Sequence, residues 1–542
     1  MRLRRLRRWW PVIPVVFFLL FVYAAWPGRW TFTVSPETTH VIEPRDAEGY
    51  VDFPAALHAR LSKGVTPENN ANVLIWQALG PHPEGGTMPP AYFQWLGVES
   101  PPEEGNYFLS SDKYFDANLK RPPAGRDVDP LEVFELKPDP KKQWDDRLDR
   151  ARNWPWQALE HPDIAAWLKQ NEKPLAVVFE ASKRPEYYNP MVSKSADPRS
   201  PRLMNSLLPN VQKCRALADA LRCRAMSRTA DGDFDGAWQD LMACQRLGRH
   251  ITRGASLIES LVGIAVVTIA SNGQVTLLSH GKHSSKQVLA WLSELQKLPP
   301  VTPFADKLDL GERFVVLDSL QSIAIAGPDT VNSMTGASAP PPQFTNHMFT
   351  WSIDFDPAFR NLNLAFDEYV VVARMTDRAA RKREFADINN KVGQVTKASA
   401  QRRQLEQIVS SKGERGEQIG NILIGLLLPA MDKIQDSYDR TQQTQVNLHI
   451  AFALAAYRAD AGRYPARLDD LAPKYLAKVP ADVFSGKPLI YRPTENGYLL
   501  YSVGVNGVDE DGRWTDDEPK GDDLRVRMPV PEPARKDTII AP

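Results

Sequence analysis

The 542-residue chain has no net charge, since 66 Lys and Arg balance 66 Asp and Glu. No global field therefore draws it towards nucleic acid or an acidic partner, and nucleic acid is not an expected partner. Catalytic signatures are absent too: there is no GxSxG elbow, no HExxH zinc helix, no phosphate loop and no dinucleotide glycine motif. The nine histidines are scattered, and the one close pair, His280 and His283, stands in a Gly-containing loop with no Cys or carboxylate nearby to complete a zinc site. The three cysteines all fall between residues 214 and 244. An enzyme of this sequence would need a site assembled only by the fold, and an exported hydrolase of envelope polymers is that alternative.

What is present is globular: 43% hydrophobic and 24% charged residues, in a chain long enough for two to four compact units. The 45 prolines cluster before residue 210 and near the C-terminus. Trp9 to Trp26 carries no charge and spans about 27 Å as a helix, close to a bilayer core of about 30 Å. Arg2, Arg4, Arg5, Arg7 and Arg8 precede it, and only Arg29 follows closely, which holds the N-terminus in the cytoplasm. The competing reading is a signal peptide cleaved near Ala24 or Ala25, but the run is long for one and ends in bulky Trp26. The expectation is a single-pass anchor in a bacterial inner membrane, with the body outside the cytoplasm and envelope proteins as its partners.

The expected fold class is mainly α. Residues 1–8 form a basic tail, 9–26 the transmembrane anchor and 27–150 an irregular Pro-rich segment. A helical domain covers 151–326, a linker 327–347 and a long helical region 348–445. Helix starts are legible at Thr66-Pro67, His161-Pro162 and Asp356-Pro357, and the run from Leu175 reads as a helix or a buried strand. Residues 211–250 read as a helical hairpin with tetratricopeptide-like spacing but no second copy. Its turn, Asp231-Gly232-Asp233-Phe234-Asp235-Gly236, imitates a calcium loop but has Met242 where that loop needs a bidentate Glu. Cys223 and Cys244 are equidistant from the hairpin midpoint, which makes them a disulfide candidate in an oxidising compartment; two small buried residues are the alternative. The apolar tract 254–273, interrupted by Glu259, suits a buried core helix.

The most legible stretch lies at 446–530, followed by a tail, 531–542. Val446, Ile450, Leu454 and Tyr457 recur at helical spacing, with Leu448 and Phe452 as a second stripe. Gly462 and Pro465 stop the helix, strands follow at Leu489–Tyr491, Tyr498–Val503 and Leu524–Met528, and the whole reads as a long helix under a small antiparallel sheet. Gly462-x-Tyr464-Pro465, Pro480-x-Asp482, Gly486-x-Pro488-Leu489-x-Tyr491 and Tyr501-Ser502-x-Gly504-x-Asn506-Gly507 resemble the major pseudopilin of type II secretion systems, a type IV pilin-like family. The resemblance implies an α+β head and a structural calcium ion in the loop that follows. Here that loop offers Asp509, Asp511, Asp516, Asp517, Asp522 and Asp523 as ligands, with Glu510 and Glu518 beside them and only Arg513 and Lys520 opposing. The family places its module directly behind a processed leader and a membrane helix, whereas here it lies far inside the chain.

Overall fold

The computed structural model describes residues 32–119, 139–195, 197, 200–327, 353–401, 411–428 and 431–533. The expected anchor at 9–26, the basic tail at 1–8 and nearly all of the linker at 327–347 lie outside the described residues. The described chain is mainly helical, with one three-stranded antiparallel sheet.

Local signals set the helices. α1 (Phe53–Leu61) opens on Asp52, whose side chain accepts from Ala55 N. α2 (Ala71–Leu79) opens on Asn70, not Thr66: the Asn70 side chain accepts from Asn72 N, while Thr66–Asn70 is spent on a turn. The 27–150 segment is less irregular than its prolines imply, since α3 (Pro90–Leu96), α4 (Ser111–Asn118) and the start of α5 (Pro140–Asn153) also fall within it. α6 (Pro162–Gln170) and α7 (Glu172–Lys183) follow, so the run from Leu175 is helical. α8 (Pro209–Ala230) and α9 (Phe234–Ile251) form the hairpin, whose acidic turn supplies an N-cap, with Asp233 accepting from Gly236 N. α10 (Leu257–Ser279) starts at a Ser256–Glu259 capping box. α11 (Ser285–Gln296) and α12 (Arg313–Ala326) come next, a π-helical turn at Lys307–Glu312 leading into the latter. α13 (Asp356–Ala373) begins at Asp356 itself, with Asp354 Oδ1 accepting from Asp356 N at 3.0 Å. α14 (Arg378–Gln401), α15 (Lys412–Leu427) and the long α16 (Met431–Ala461) complete the helices.

The chain divides into two compact units, and both are discontinuous in sequence. One comprises the described residues of 1–63, 190–207 and 304–433. In it α12 packs on α1 and α13, and α15 packs on α13 and α14, around Phe53, Phe314, Phe359 and Phe366. Arg313, 1% exposed, bonds Asp367 at 2.7 Å and Asp309 at 3.0 Å.

The other, called the C-terminal unit because its last stretch is 434–542, also comprises the described residues of 64–189 and 208–303, and one apolar core runs through it from Ala71 to Met528. α8, α9 and α10 pack mutually. α9 and α10 cross at two glycines, so close that a Cβ on Gly248 would lie 2.8 Å from Gly263 O, and one on Gly263 would lie 2.6 Å from Gly248 O. α10 has the length and apolarity to cross a membrane, yet two thirds of its most apolar 18 residues are buried here, and Glu259 in its first turn is buried as well. Its 23 residues exceed the tract expected from the sequence.

α16 enters this same core. Phe452 sits edge-on to Trp238 at 5.5 Å, and Gln445 bonds Ser271 at 2.8 Å and Arg249 at 3.0 Å. β1 (Ile490–Pro493), β2 (Tyr498–Ser502) and β3 (Leu524–Met528) pair in that order, with Ile490 opposite Tyr501 and Leu500 opposite Val526. β3 alternates buried Leu524, Val526 and Met528 with outward Arg525 and Arg527. The boundaries expected at 151–326 and 446–530 therefore do not separate compact bodies. A helix apolar on most faces needs two covers, and α16 has the sheet on one side and the α9–α10 layer on the other.

The Cys223–Cys244 bridge is not formed: all three cysteines are free and buried. Cys244 Sγ reaches Ala218 O at 3.5 Å, five residues or about 7.5 Å along α8 from Cys223. The hairpin is centred near residue 231, not 233–234, and this shift in register separates the pair.

Candidate functional sites of the C-terminal unit

Two of the motifs, Pro480-x-Asp482 and Tyr501-Ser502, meet at Asp482, which is 3% exposed. Its Oδ1 accepts from Phe484 N and Ser502 Oγ, both at 2.8 Å; its Oδ2 accepts from Ser485 Oγ at 3.1 Å and Val503 N at 3.3 Å. One carboxylate thus ties the Pro480–Gly486 turn to the end of β2. Two buried polar residues of α16 complete the join. Gln443 accepts from Val483 N at 2.7 Å and donates to Asn447, and Asn447 donates to Leu524 O at 2.8 Å. Tyr491 donates to Pro465 O at 2.9 Å, and Tyr464 lies edge-on to Tyr498 at 4.9 Å. Gly504 has φ +64, and a Cβ there would collide with Asp522 O, so the close return of the acidic loop requires glycine.

The six loop aspartates are not gathered on one point. Asp511 bonds Arg492 of β1 at 3.0 Å, Asp522 bonds Arg440 of α16 at 2.8 Å, and Asp517 pairs with Arg525 of β3. Asp509 accepts from Tyr501 Oη at 2.9 Å and from Asp511 N, and its carboxyl is held below the usual range chiefly by that backbone bond. Asp516 is exposed and lines a cavity. Counting charge within the loop misses these three arginines, which come from elements outside it. Asp523 is different. It is fully buried, its Oδ2 accepts from Glu510 N at 3.0 Å and Gly512 N at 2.8 Å, and its Oδ1 has no partner. Burial raises its pKa, and the nearby Glu510 and Asp509 charges push the same way. Among the described residues, no three His, Cys, Asp or Glu side chains converge as a ready metal site.

Two large cavities of this unit lie near charged side chains. One, of about 580 Å³, opens between α10, α16, β3 and the loop, and Arg222, Arg440, Arg525, Trp514 and Asp516 are in its lining. Thr268, Ser271, Thr441 and Thr444 each donate to their own helix there, while Arg222 Nε and Arg440 Nε are buried without partners. The second, of about 680 Å³, lies between α7, α9 and the Leu298–Pro303 segment. Neither lining brings two carboxylates together. His280 and His283 take no part in either: His280 Nδ1 bonds Thr276 O and His283 Nε2 bonds His280 O, both at 2.8 Å, capping the end of α10.

The arginines and the Gln443–Asn447 pair escaped the sequence reading. The arginines are dispersed from 184 to 525 and share no spacing, but two amides four residues apart on an apolar helix were a readable sign of a buried polar seam. No protein-family model, no curated protein and no solved structure matches the chain.

Proposed function

We propose that the chain is a membrane-anchored extracytoplasmic scaffold or recognition protein whose residues 446–530 form a module similar to the major pseudopilin head. The junction of two separately spaced motifs at buried Asp482, whose carboxylate accepts from Ser502 Oγ beneath a sheet laid over α16, carries this reading. Residues 9–26 serve as the anchor in a bacterial inner membrane, and envelope proteins, secretion machinery first among them, are the partners. Because α16 shares its core with α9 and α10, the module acts as a fixed face of a larger body and not as a filament subunit. Mild-detergent purification from native membranes after cross-linking tests the association. Recovery with components of a secretion complex supports it, and recovery as a free monomer alone refutes it.

The acidic loop holds calcium in this proposal, and the feature that fits the ion is the unpartnered, buried Asp523 Oδ1 beside Asp509 and Glu510. The remaining loop aspartates are committed largely to arginines, so Asp523 is the ligand on which binding depends. Melting of the full chain with calcium and with chelator should differ by several degrees, and Asp523→Asn should abolish the difference. Identical wild-type curves remove the ion from the proposal.

A further inference from the structure

The cavity beside α7 and α9 has two walls of opposite chemistry. Pro185 and the Leu298–Pro303 segment supply the apolar one, stiffened by Pro299, Pro300 and Pro303. Lys183, Arg184, Arg246, Arg249 and Arg253 supply the other, and no Asp or Glu is in the lining. Three of these cations are matched from outside: Lys183 by Glu180 at 2.8 Å, Arg246 by Glu294 at 2.6 Å, and Arg253 by Glu186. His250, also in the lining, is pushed down to about 4 by burial and adds no charge near neutral pH.

Among the described residues, neither Arg249 nor Arg184 forms an ion pair with a carboxylate, and only the exposed Glu68 acts on Arg184, at longer range. Arg249 is 7% exposed, and every acceptor it meets is neutral: Pro299 O at 2.8 Å, Gln245 O at 3.2 Å, Gln245 Oε1, and Gln445 Oε1 at 3.0 Å. Arg184 is held by one nitrogen. Its Nη1 donates to Pro67 O at 2.6 Å and Asn70 O at 2.8 Å, which fixes the guanidinium plane and leaves Nε and Nη2 without a protein partner. That free edge is the one guanidinium uses for bidentate bonds to carboxylate or phosphate. A guanidinium buried without counter-charge carries a desolvation cost that an anion in the cavity would offset.

We propose that this cavity binds an organic anion, one carboxylate or phosphate on an apolar chain, with the headgroup on the Arg184 edge and the chain along Leu298–Pro303. The volume is that of ordinary small-molecule sites. Retention of Arg184 as a clamp on the Pro67–Asn70 turn explains Nη1 but not the free edge, and it does not explain the carboxylate-free lining.

Calorimetric titration of the full-length protein in non-ionic detergent, with octanoate, octanol and inorganic phosphate, tests this. Octanoate should bind at least tenfold more tightly than octanol or phosphate, and each methylene added from hexanoate to octanoate should tighten binding about fourfold. Arg184→Lys keeps the charge but loses the bidentate edge, and should weaken octanoate tenfold or more. Val301→Glu puts a carboxylate on the apolar wall without touching the Arg184 bonds; it should weaken octanoate as much while melting like wild type. Phosphatidylcholine vesicles with and without phosphatidylglycerol locate the source. Displacement of octanoate only by the anionic vesicles identifies a lipid, and displacement by octyl phosphate but by neither vesicle identifies a soluble anion. Equal affinity for octanoate and octanol, absence of octanoate binding, or wild-type binding by Val301→Glu overturns the proposal.

Discussion

Asp482 offers a graded test of whether the motif residues are structural keystones of the C-terminal unit. Asp482→Ala removes all four accepted bonds and leaves Ser502 Oγ, Val503 N and Phe484 N in a largely buried turn. Ser485 Oγ and the more exposed donors recover water, so two or three donors carry the loss at about 1–3 kcal/mol each. The expected destabilisation is about 3–6 kcal/mol, a large part of a typical domain's stability. Asp482→Asn is nearly isosteric and divides the site. The retained oxygen can still take Phe484 N and Ser502 Oγ, but the amide nitrogen now faces Val503 N and cannot accept from Ser485 Oγ. That should cost about half as much, and urea midpoints followed by fluorescence of the buried tryptophans measure both variants. Equal destabilisation by the two substitutions, or less than 1 kcal/mol for Asp482→Ala, would refute the argument that this carboxylate joins the turn to β2.

Other tests follow from packing and protonation. Gly248→Ala at the α9–α10 crossing should cost about 1–3 kcal/mol by overpacking, despite alanine's helix propensity, whereas Gly393→Ala in α14, where nothing lies within 4 Å, should gain about 0.5–1 kcal/mol; thermal melts decide both. Burial pushes the imidazoles of His250 and His449 down to about 4, against 6.5 in an unfolded chain. The native state therefore binds fewer protons, stability is full above pH 6.5, and it is lost as pH falls towards 4, by about 3 kcal/mol per histidine. Urea titrations at pH 7, 6 and 5 should show this loss in the C-terminal unit, and His449→Gln should remove about half of it. The other unit should lose less, because buried Asp318, raised to about 7, stabilises that unit as pH falls and opposes His58, which is lowered to about 4.

The helical class, the hairpin, the α16 stop at Gly462 and all three strands were legible because each rests on a local signal. Period-3.6 apolar spacing, a Gly-x-Tyr-Pro break and period-2 alternation at Leu524, Val526 and Met528 need no tertiary information. Thr66 misled because Asn70 competes with it for the same role nearer the helix, and only the bond to Asn72 N decides between them. The disulfide candidate failed on a register shift of about two to three residues, which helix lengths alone do not fix. The acidic loop was legible as a concentration of charge but not as a balanced one, because Arg440, Arg492 and Arg525 lie up to 82 residues away in sequence.

The deeper misreading concerned the unit of folding. A module recognised by contiguous motifs invites a boundary at its edges, yet α16 has no face that can be left bare. Its apolar residues Leu448, Ile450, Phe452 and Leu454 are all at most 1% exposed, and no three-stranded sheet can cover a helix on every side. The remaining cover is α9 and α10, whose own close crossing at Gly248 and Gly263 presents Trp238 and Ser271 to α16. The dependence runs both ways, since Gln445 supplies a neutral acceptor to the otherwise carboxylate-free Arg249 that lines the α7–α9 cavity. Excision of 434–530, Gln445 included, should therefore yield an unfolded fragment, and should loosen the cationic wall 196 residues upstream of Gln445 as well.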